Sequence, residues 1–470
     1  MFLNLDKQKK DKIAVVDNEG HRLSYRELIM QIDDVGRHFT ARSLIFVLCR
    51  NTAGSLAGYL AAVEHNAVPL LLNASIDREL LNGLIDIYSP AFLWVPSDDT
   101  SLSRYKTVYE KLDYKLLATG HEPYSINENL QLCMATSGST GSPKLVRYMK
   151  GNLEASAANV AEALGWTDRD RGICDLGMQY TMGLNVINSH LCTGATVLLT
   201  TYNLMSADFW EYVKTERGTN FTGVPFSYDI LWRLHFDRME LPELKTLCQG
   251  GGKLTEQRFV QIAEFAQKSG KRFIATYGTT ETSSRAACLP SDLSLEKICS
   301  IGKAIPGCEL LLVDQNGTVI EEPDVEGELC VAGPTVTMGY AECKNDLLKG
   351  DEFGGKYYTG DLARRDADGC YYITGRKKRF LKLLSYRISL DQVEKLIQEE
   401  FECECACTGN DKRLNIYITE NSKAADVQDY ISSKTGLFRN LFRVIPVKEI
   451  IRNEGGKIQY NLMDENAGIK

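Results

Sequence analysis

Apolar and polar positions fall into two alternating kinds of block along the first third of the chain. Residues 22–42, RLSYRELIMQIDDVGRHFTAR, space their apolar positions on one helical face, and Ser24 with Glu27 has the form of a capping box. SLIFVLC (43–49) is a short apolar run of the kind that a buried strand requires, residues 54–66 return to helical spacing, and AVPLLLN (67–73) is again strand-like. Such alternation predicts βαβ units and a largely parallel sheet. The middle of the chain continues in the same way. Strands are expected at 195–201, 220–225 and 271–278, and helices at 206–217 and 255–269.

After about Ile301 the pattern changes. CELLLVDQNGTVI and GELCVAGP are rich in strand formers and joined by turn signals such as Gln-Asn-Gly, which predicts a smaller β-unit following the α/β part. GRKKRFLK (375–382) is densely basic, and it is followed by the amphipathic helix pattern ISLDQVEKLIQEEF and by the strand-like ECACTG and LNIYITE. A small α+β domain over 377–470, after a large domain over 1–376, accounts for that order.

Composition narrows the class. The chain has 470 residues, 44% hydrophobic and 25% charged, so it can bury one or more sizeable cores and is neither low-complexity nor a disulfide scaffold. A net charge of -8 gives no reason to expect nucleic acid as partner. The 14 cysteines have no regular spacing and are expected to be reduced, largely buried thiols. MFLNLDKQKKDK lacks the apolar run of a secretory signal, and the best apolar stretch, near Leu56 to Leu72, is broken by Glu64 and His65, so no membrane span and a cytoplasmic location are expected.

Three segments carry chemistry. Thr136-Ser137-Gly138-Ser139-Thr140-Gly141-Ser142-Pro143-Lys144 combines hydroxyls, glycines and a lysine, a set suited to cradling phosphate, and it is not a Walker A loop because no Gly-Lys-Ser/Thr follows. Thr276-Tyr277-Gly278-Thr279-Thr280-Glu281-Thr282 offers a flat ring, a tight turn and a hard oxygen ligand for Mg²⁺. Tyr358-Thr359-Gly360-Asp361, with Gly375-Arg376 beyond it, supplies an acid suited to a ribose diol and a cation for sugar or phosphate.

With TSGSTGSPK (136–144), GGGKL (250–254), YGTTE (277–281), EGELCVAGPTVTMGY (326–340), YYTGD (357–361), GRKKRFLK (375–382) and EGGKI (454–458) in order, the sequence resembles the AMP-forming adenylating superfamily of acyl- and aryl-CoA synthetases, peptide-synthetase adenylation domains and luciferases. The resemblance implies a large N-terminal domain of α/β subdomains with a β-barrel-like unit, and a small mobile C-terminal domain. It implies ATP and Mg²⁺ as cofactors, a carboxylic acid as substrate, and CoA or the phosphopantetheine arm of an acyl-carrier protein as acceptor. By the same resemblance the 136–144 loop handles the β- and γ-phosphates. Gly250, Gly251 and Gly252 line the adenine and acyl pocket, Tyr277 stacks on adenine beside Gly278, Thr280 contacts the α-phosphate and Glu281 binds Mg²⁺. Asp361 takes the ribose hydroxyls with Arg376 close by, Lys378 is the hinge, and Lys457 reaches the carboxylate and α-phosphate. An acyl-adenylate forms first, and a thiol then takes the acyl group.

The sequence departs from the pattern at several points. Leu145 stands where the family usually has glycine. Gln179-Tyr180-Thr181-Met182-Gly183 occupies the place of a Phe-His-x-x-Gly segment, so Tyr180, Met182 and Gly183 are candidate pocket residues, with Tyr180 at the histidine position. That segment has no acid to pair with an α-amino group, and Asp175 upstream is expected to point elsewhere, which suggests a carboxylic acid lacking a paired amine. Ser385 replaces a glycine beside the thiol tunnel of thioester-forming relatives, which keeps a carrier protein in view as the acceptor. A non-catalytic nucleotide- or acyl-binding module is the alternative of a different class, and retention of Lys457, Glu281 and Asp361 speaks against it. Cys403, Cys405 and Cys407 share one face if ECECAC is a strand and are read as packed thiols rather than metal ligands, since no histidine is near. The basic run 376–382 is read as a hinge with nucleotide contacts rather than as a nucleic-acid patch. Met178, Met182 and Leu184 suit an acyl pocket or a core equally well.

Overall fold

The structure, a computed structural model, describes residues 1–135, 144–377, 379–383, 386–410, 412–435, 437–453 and 456–469. The chain divides into two compact units, Met1–Leu310 with Val331–Tyr357, and Leu311–Cys330 with Tyr358–Lys470.

The first unit is built on two large sheets. One has nine strands, and its centre runs Arg272–Tyr277, Thr246–Gln249, Asn220–Gly223, Arg171–Cys174, Thr196–Leu199, Ile13–Asp17, all parallel to their neighbours. Antiparallel strands close both of its edges: Arg22–Ser24 at one side, Ala287–Leu289 and Lys303–Ala304 at the other. The second sheet has eight strands, with a parallel centre of Leu130–Ala135, Val68–Asn73, Leu44–Cys49 and Phe92–Pro96. These central strands are apolar at nearly every position because helices or the other layer cover both faces. The helix Ala53–Glu64 is buried on every side, which explains its almost uniformly apolar sequence, whereas Tyr25–Gly36 shows the apolar stripe of a helix with one wet face. Ser24 and Glu27 form the expected capping box, the Ser24 N–H donating to Glu27 Oε2 at 2.7 Å.

Residues 136–144 lie between two antiparallel neighbours, since Ala135 at the end of one strand pairs with Leu145 at the start of the next, Leu145–Met149. Residues 136–143 themselves lie outside the described residues.

The strands Glu309–Val313, Gly327–Ala332, Lys356–Arg365 and Tyr371–Arg376 form a four-stranded sheet. Beyond it the second unit has a hairpin, Phe380–Leu383 with Tyr386–Ser389, and a three-stranded sheet of Cys405–Asn410, Arg413–Ile418 and Phe442–Pro446 covered by the helices Leu390–Phe401 and Ala424–Thr435. Cys403, Cys405 and Cys407 are core residues there, with Val393, Ile397 and Ile416. None of the fourteen cysteines forms a disulfide among the described residues, and Cys343 is the exposed one. No helix among the described residues is long and apolar enough to cross a membrane.

Candidate active site

In an open parallel sheet the loops that leave the carboxyl ends of the strands form the crevice where ligands bind. In the nine-stranded sheet those loops begin at Asp175, Val224, Gly250 and Gly278.

The turn after Arg272–Tyr277 is built for close approach. A Cβ at Gly278 would stand 1.4 Å from the carbonyl oxygen of Ser284, so only glycine fits. The chain then enters the short helix Thr280–Thr282, whose start is closed by the Thr279 N–H donating to Thr282 Oγ1 at 3.0 Å. The buried Tyr148 fixes this helix from the neighbouring sheet by donating from Oη to the Thr280 carbonyl at 2.7 Å. Glu281 is half-buried. Tyr340 Oη donates to its Oε1 at 2.7 Å and lies 3.2 Å from Tyr357 Oη. Burial and the Glu281 charge push the Tyr340 phenol well above its ordinary pKa, so it stays a neutral donor. Among the described residues no lysine or arginine pairs with Glu281. A carboxyl group held by one neutral donor keeps oxygen capacity for a hard cation, so the donor set fits Mg²⁺.

Lys144, the last residue of the segment 136–144, joins the same group. Its Nζ lies 5.1 Å from the centre of the Tyr340 ring and 3.2 Å from Glu342 Oε1. Sequence order alone did not indicate that Tyr340 ties Lys144 to Glu281, although this tyrosine ends the motif 326–340.

The glycine loop and the candidate pocket residues also meet. A Cβ at Gly250 would lie 2.5 Å from Met182 Cε and 2.7 Å from Thr276 Oγ1. Gly251 has φ +76°, and Gln249 Nε2 closes the loop by donating to the carbonyls of Gly250 at 3.2 Å and Gly252 at 2.7 Å. Tyr180 caps the helix Thr181–Leu191, and Gly183 packs so closely that an added Cβ would be 2.4 Å from the Leu176 carbonyl. Asp175, at the end of the neighbouring strand, has a buried Oδ1 with no hydrogen-bond partner, and burial pushes its carboxyl up to about 7.

The second unit holds the remaining candidates. Asp361 and Arg376 face one another across antiparallel strands, with Arg376 Nε 3.1 Å from Asp361 Oδ1. The acid is nearly buried and the arginine exposed. Beside them Glu328 accepts from the Gly360 N–H at 3.2 Å and from Lys377 Nζ at 2.6 Å. Lys457 is exposed. Its carbonyl accepts from the Asn453 N–H at 2.9 Å, and its own N–H donates to Asn453 Oδ1 at 2.9 Å. Three residues on, Tyr460 lies under the Arg379 guanidinium, 3.9 Å from its ring centre, and Arg379 is held by Asp391 at 2.7 Å and Glu394 at 2.8 Å. Thr136, Ser137, Gly138, Ser139, Thr140, Gly141, Lys378 and Ser385 lie outside the described residues.

Residues 3–341 match the family model described as AMP-binding enzyme. A 2-succinylbenzoate–CoA ligase from Bacillus cereus is 28% identical over 395 residues, covering 82% of this chain and 79% of its own, and another from Bacillus mycoides is 27% identical over the same shares. Among solved structures, the o-succinylbenzoate CoA synthetase of Bacillus subtilis in complex with its acyl-adenylate intermediate superposes with a TM-score of 0.78 at 21% identity, over 98% of this chain and 97% of that one. ATP-bound MatB from Rhodopseudomonas palustris gives 0.77 at 21% identity, over 99% of both chains. These likenesses show a shared fold, and the match over 3–341 shows that the chain belongs to the AMP-binding enzyme family.

Proposed function

We propose that the protein is an AMP-forming acid–thiol ligase that activates a carboxylic acid with ATP and passes the acyl group to CoA. The observation that carries this reading is the chain Lys144–Tyr340–Glu281, which places a cation from the end of the phosphate-loop segment beside an acid suited to Mg²⁺. The relatives' names, as CoA ligases, support CoA as the acceptor.

A carboxylate is a poor electrophile because oxide is a poor leaving group. In the first half-reaction a carboxylate oxygen bonds to the α-phosphorus of ATP as the bond to the β-phosphate bridging oxygen breaks, and pyrophosphate leaves with that electron pair. In the second, the CoA thiol loses its proton to solvent, its sulfur bonds to the acyl carbon, and AMP leaves. Both partners of the first step are anions, so the work lies in positioning and charge neutralisation. Mg²⁺, when bound at Glu281, supplies Lewis-acid neutralisation of phosphate oxygens. Tyr340 orients the Glu281 carboxylate, and Tyr148 fixes the turn that presents Thr280. The Gly250–Gly252 loop and Tyr277 would hold the base, Asp361 with Arg376 the ribose, and Lys457 would offset negative charge as the adenylate forms.

Pyrophosphate exchange into ATP across a panel of carboxylic acids tests the reading, and no exchange with any acid would remove it. Lys457→Ala should lower adenylate formation by about 100-fold or more, while thioester formation from supplied acyl-adenylate changes little. Equal loss in both steps would show that Lys457 has a different role.

A further inference from the structure

Directly after the short helix Thr280–Thr282 the backbone takes a course that its residues do not favour. Ser283 has φ +55° and Ser284 φ +98°, both in the left-handed region, and both are buried. Two successive residues with side chains persist there only where the surroundings hold them. The Ser283 and Ser284 N–H groups donate to the carbonyls of Thr280 at 3.3 Å and Thr279 at 3.0 Å, so a shift of these serines is passed to the helix that carries Glu281.

What holds the serines is a chain of side-chain hydrogen bonds. Arg285, the next residue, is fully buried, and among the described residues no carboxylate pairs with it. Its Nη1 donates to Asn185 Oδ1 and its Nη2 to Thr222 Oγ1 at 3.3 Å. A guanidinium has only donors, so Asn185 must give it the amide oxygen and turn the amide nitrogen the other way. On that side Asn185 Nδ2 donates to Ser156 Oγ at 3.1 Å, and Ser156 Oγ donates to the Ser283 carbonyl at 2.5 Å. The chain leaves the strained turn at Arg285 and returns to it at Ser283, with Asn185 and Ser156 both buried. Away from water such a sequence of bonds has one arrangement and is stiff. Ser156 belongs to the helix Asn152–Leu164, and Asn185 to the helix Thr181–Leu191, one turn beyond Met182, the side chain that rests against Gly250.

We propose that Asn185 is a positioning residue for Glu281: through Arg285 and Ser156 it holds the Ser283–Arg285 turn and so sets where the Glu281 carboxyl group meets Mg²⁺. The proposal rests on the ligase reading above for the role of Glu281. An aspartate at 185 would give Arg285 the counter-charge that it lacks. Its second oxygen could not donate to Ser156, however, and would draw the serine hydroxyl away from the Ser283 carbonyl. The missing anion is therefore what gives the chain of bonds its direction.

Asn185→Asp separates holding the fold from aiming the acid. The full chain is titrated calorimetrically with ATP, with and without Mg²⁺ and with no carboxylic acid present. Mg²⁺ should tighten ATP binding by the unsubstituted protein. In Asn185→Asp that gain should shrink by about ten-fold, the scale on which a residue behind a metal ligand acts. Binding of ATP without Mg²⁺ should be unchanged and the thermal midpoint no lower, since an ion pair with Arg285 has been added. A gain that is unchanged in Asn185→Asp, with or without a lower midpoint, would overturn the proposal, as would the absence of any gain in the unsubstituted protein. Should Asn185→Asp fail to fold, Ser156→Ala removes the donor to the Ser283 carbonyl and should reduce the gain in the same way; an unaltered gain there would equally overturn it. Pyrophosphate exchange is measured alongside, and its absence with every acid would count against the ligase reading alone, because the Mg²⁺ gain is read without an acid.

Discussion

At the scale of the residue, Asp175 carries a measurable consequence. Its carboxyl is pushed up to about 7 by burial, against an ordinary value near 4, so between those pH values the folded chain holds a proton that the unfolded chain has lost. The stability from this group is therefore full below about pH 4 and is lost as pH rises through about 7. His190 acts in the opposite sense: burial lowers its imidazole to about 4, so its contribution is present above about pH 6.5 and is lost as pH falls. Urea unfolding should show Asp175→Asn more stable than the unsubstituted protein at pH 8 and the difference shrinking by pH 5; an identical pH profile for both would refute this. Little of this was legible from the residues. The motifs named Glu281, Thr280 and Lys144 as candidates, yet the groups that hold them, Tyr148 and Tyr340, lie 132 and 59 residues from their partners.

At the scale of the element, the glycine loops differ in how much they tolerate. Gly278→Ala would drive its new methyl into the backbone carbonyl of Ser284, which cannot swing aside, so a loss above about 3 kcal/mol in the unfolding free energy is expected. At Gly250 the nearest atom is the end of Met182, and Gly250→Ala should cost less, about 1–2 kcal/mol, while weakening substrate binding. Denaturant midpoints for the two variants should fall in that order, and the reverse order would contradict the packing described. Elements themselves were the most readable level. The apolar runs at 43–49 and 67–73 become the adjacent parallel strands Leu44–Cys49 and Val68–Asn73, and the capping box at Ser24 forms. The hairpin Lys106–Lys111 with Tyr114–Ala118 was not anticipated, because KTVYEK is an edge strand without a clean alternation of buried and exposed positions.

At the scale of the whole molecule, each unit has its own core, and the chain passes between units at residues 310/311, 330/331 and 357/358. The change of texture near Ile301 and near residue 376 signalled new sheets, but sequence texture could not show that the segment Leu311–Cys330 groups with residues beyond Tyr358. The second unit depends on one buried ion cluster, in which Glu394 accepts from Arg379 and from the Cys407 N–H at 2.6 Å. Glu394→Ala leaves Arg379 with Asp391 as its remaining carboxylate partner among the described residues and should destabilise this unit by about 3 kcal/mol. Hydrogen exchange should then quicken across Leu390–Phe401 and Cys405–Asn410, with the amides of the first unit unchanged.

The uneven exposure of the thiols also offers a handle on the reaction. Cys49, Cys133 and Cys192 are pushed up to about 12 by burial, which suppresses the thiolate that reacts with electrophiles. Cys343 stands in solvent next to Glu342, the carboxylate that pairs with Lys144. A maleimide dye should therefore attach at this one site first, and if Lys144 exchanges Glu342 for an arriving triphosphate, as the proposed function requires, its emission would change and the native chain would report its own first binding step.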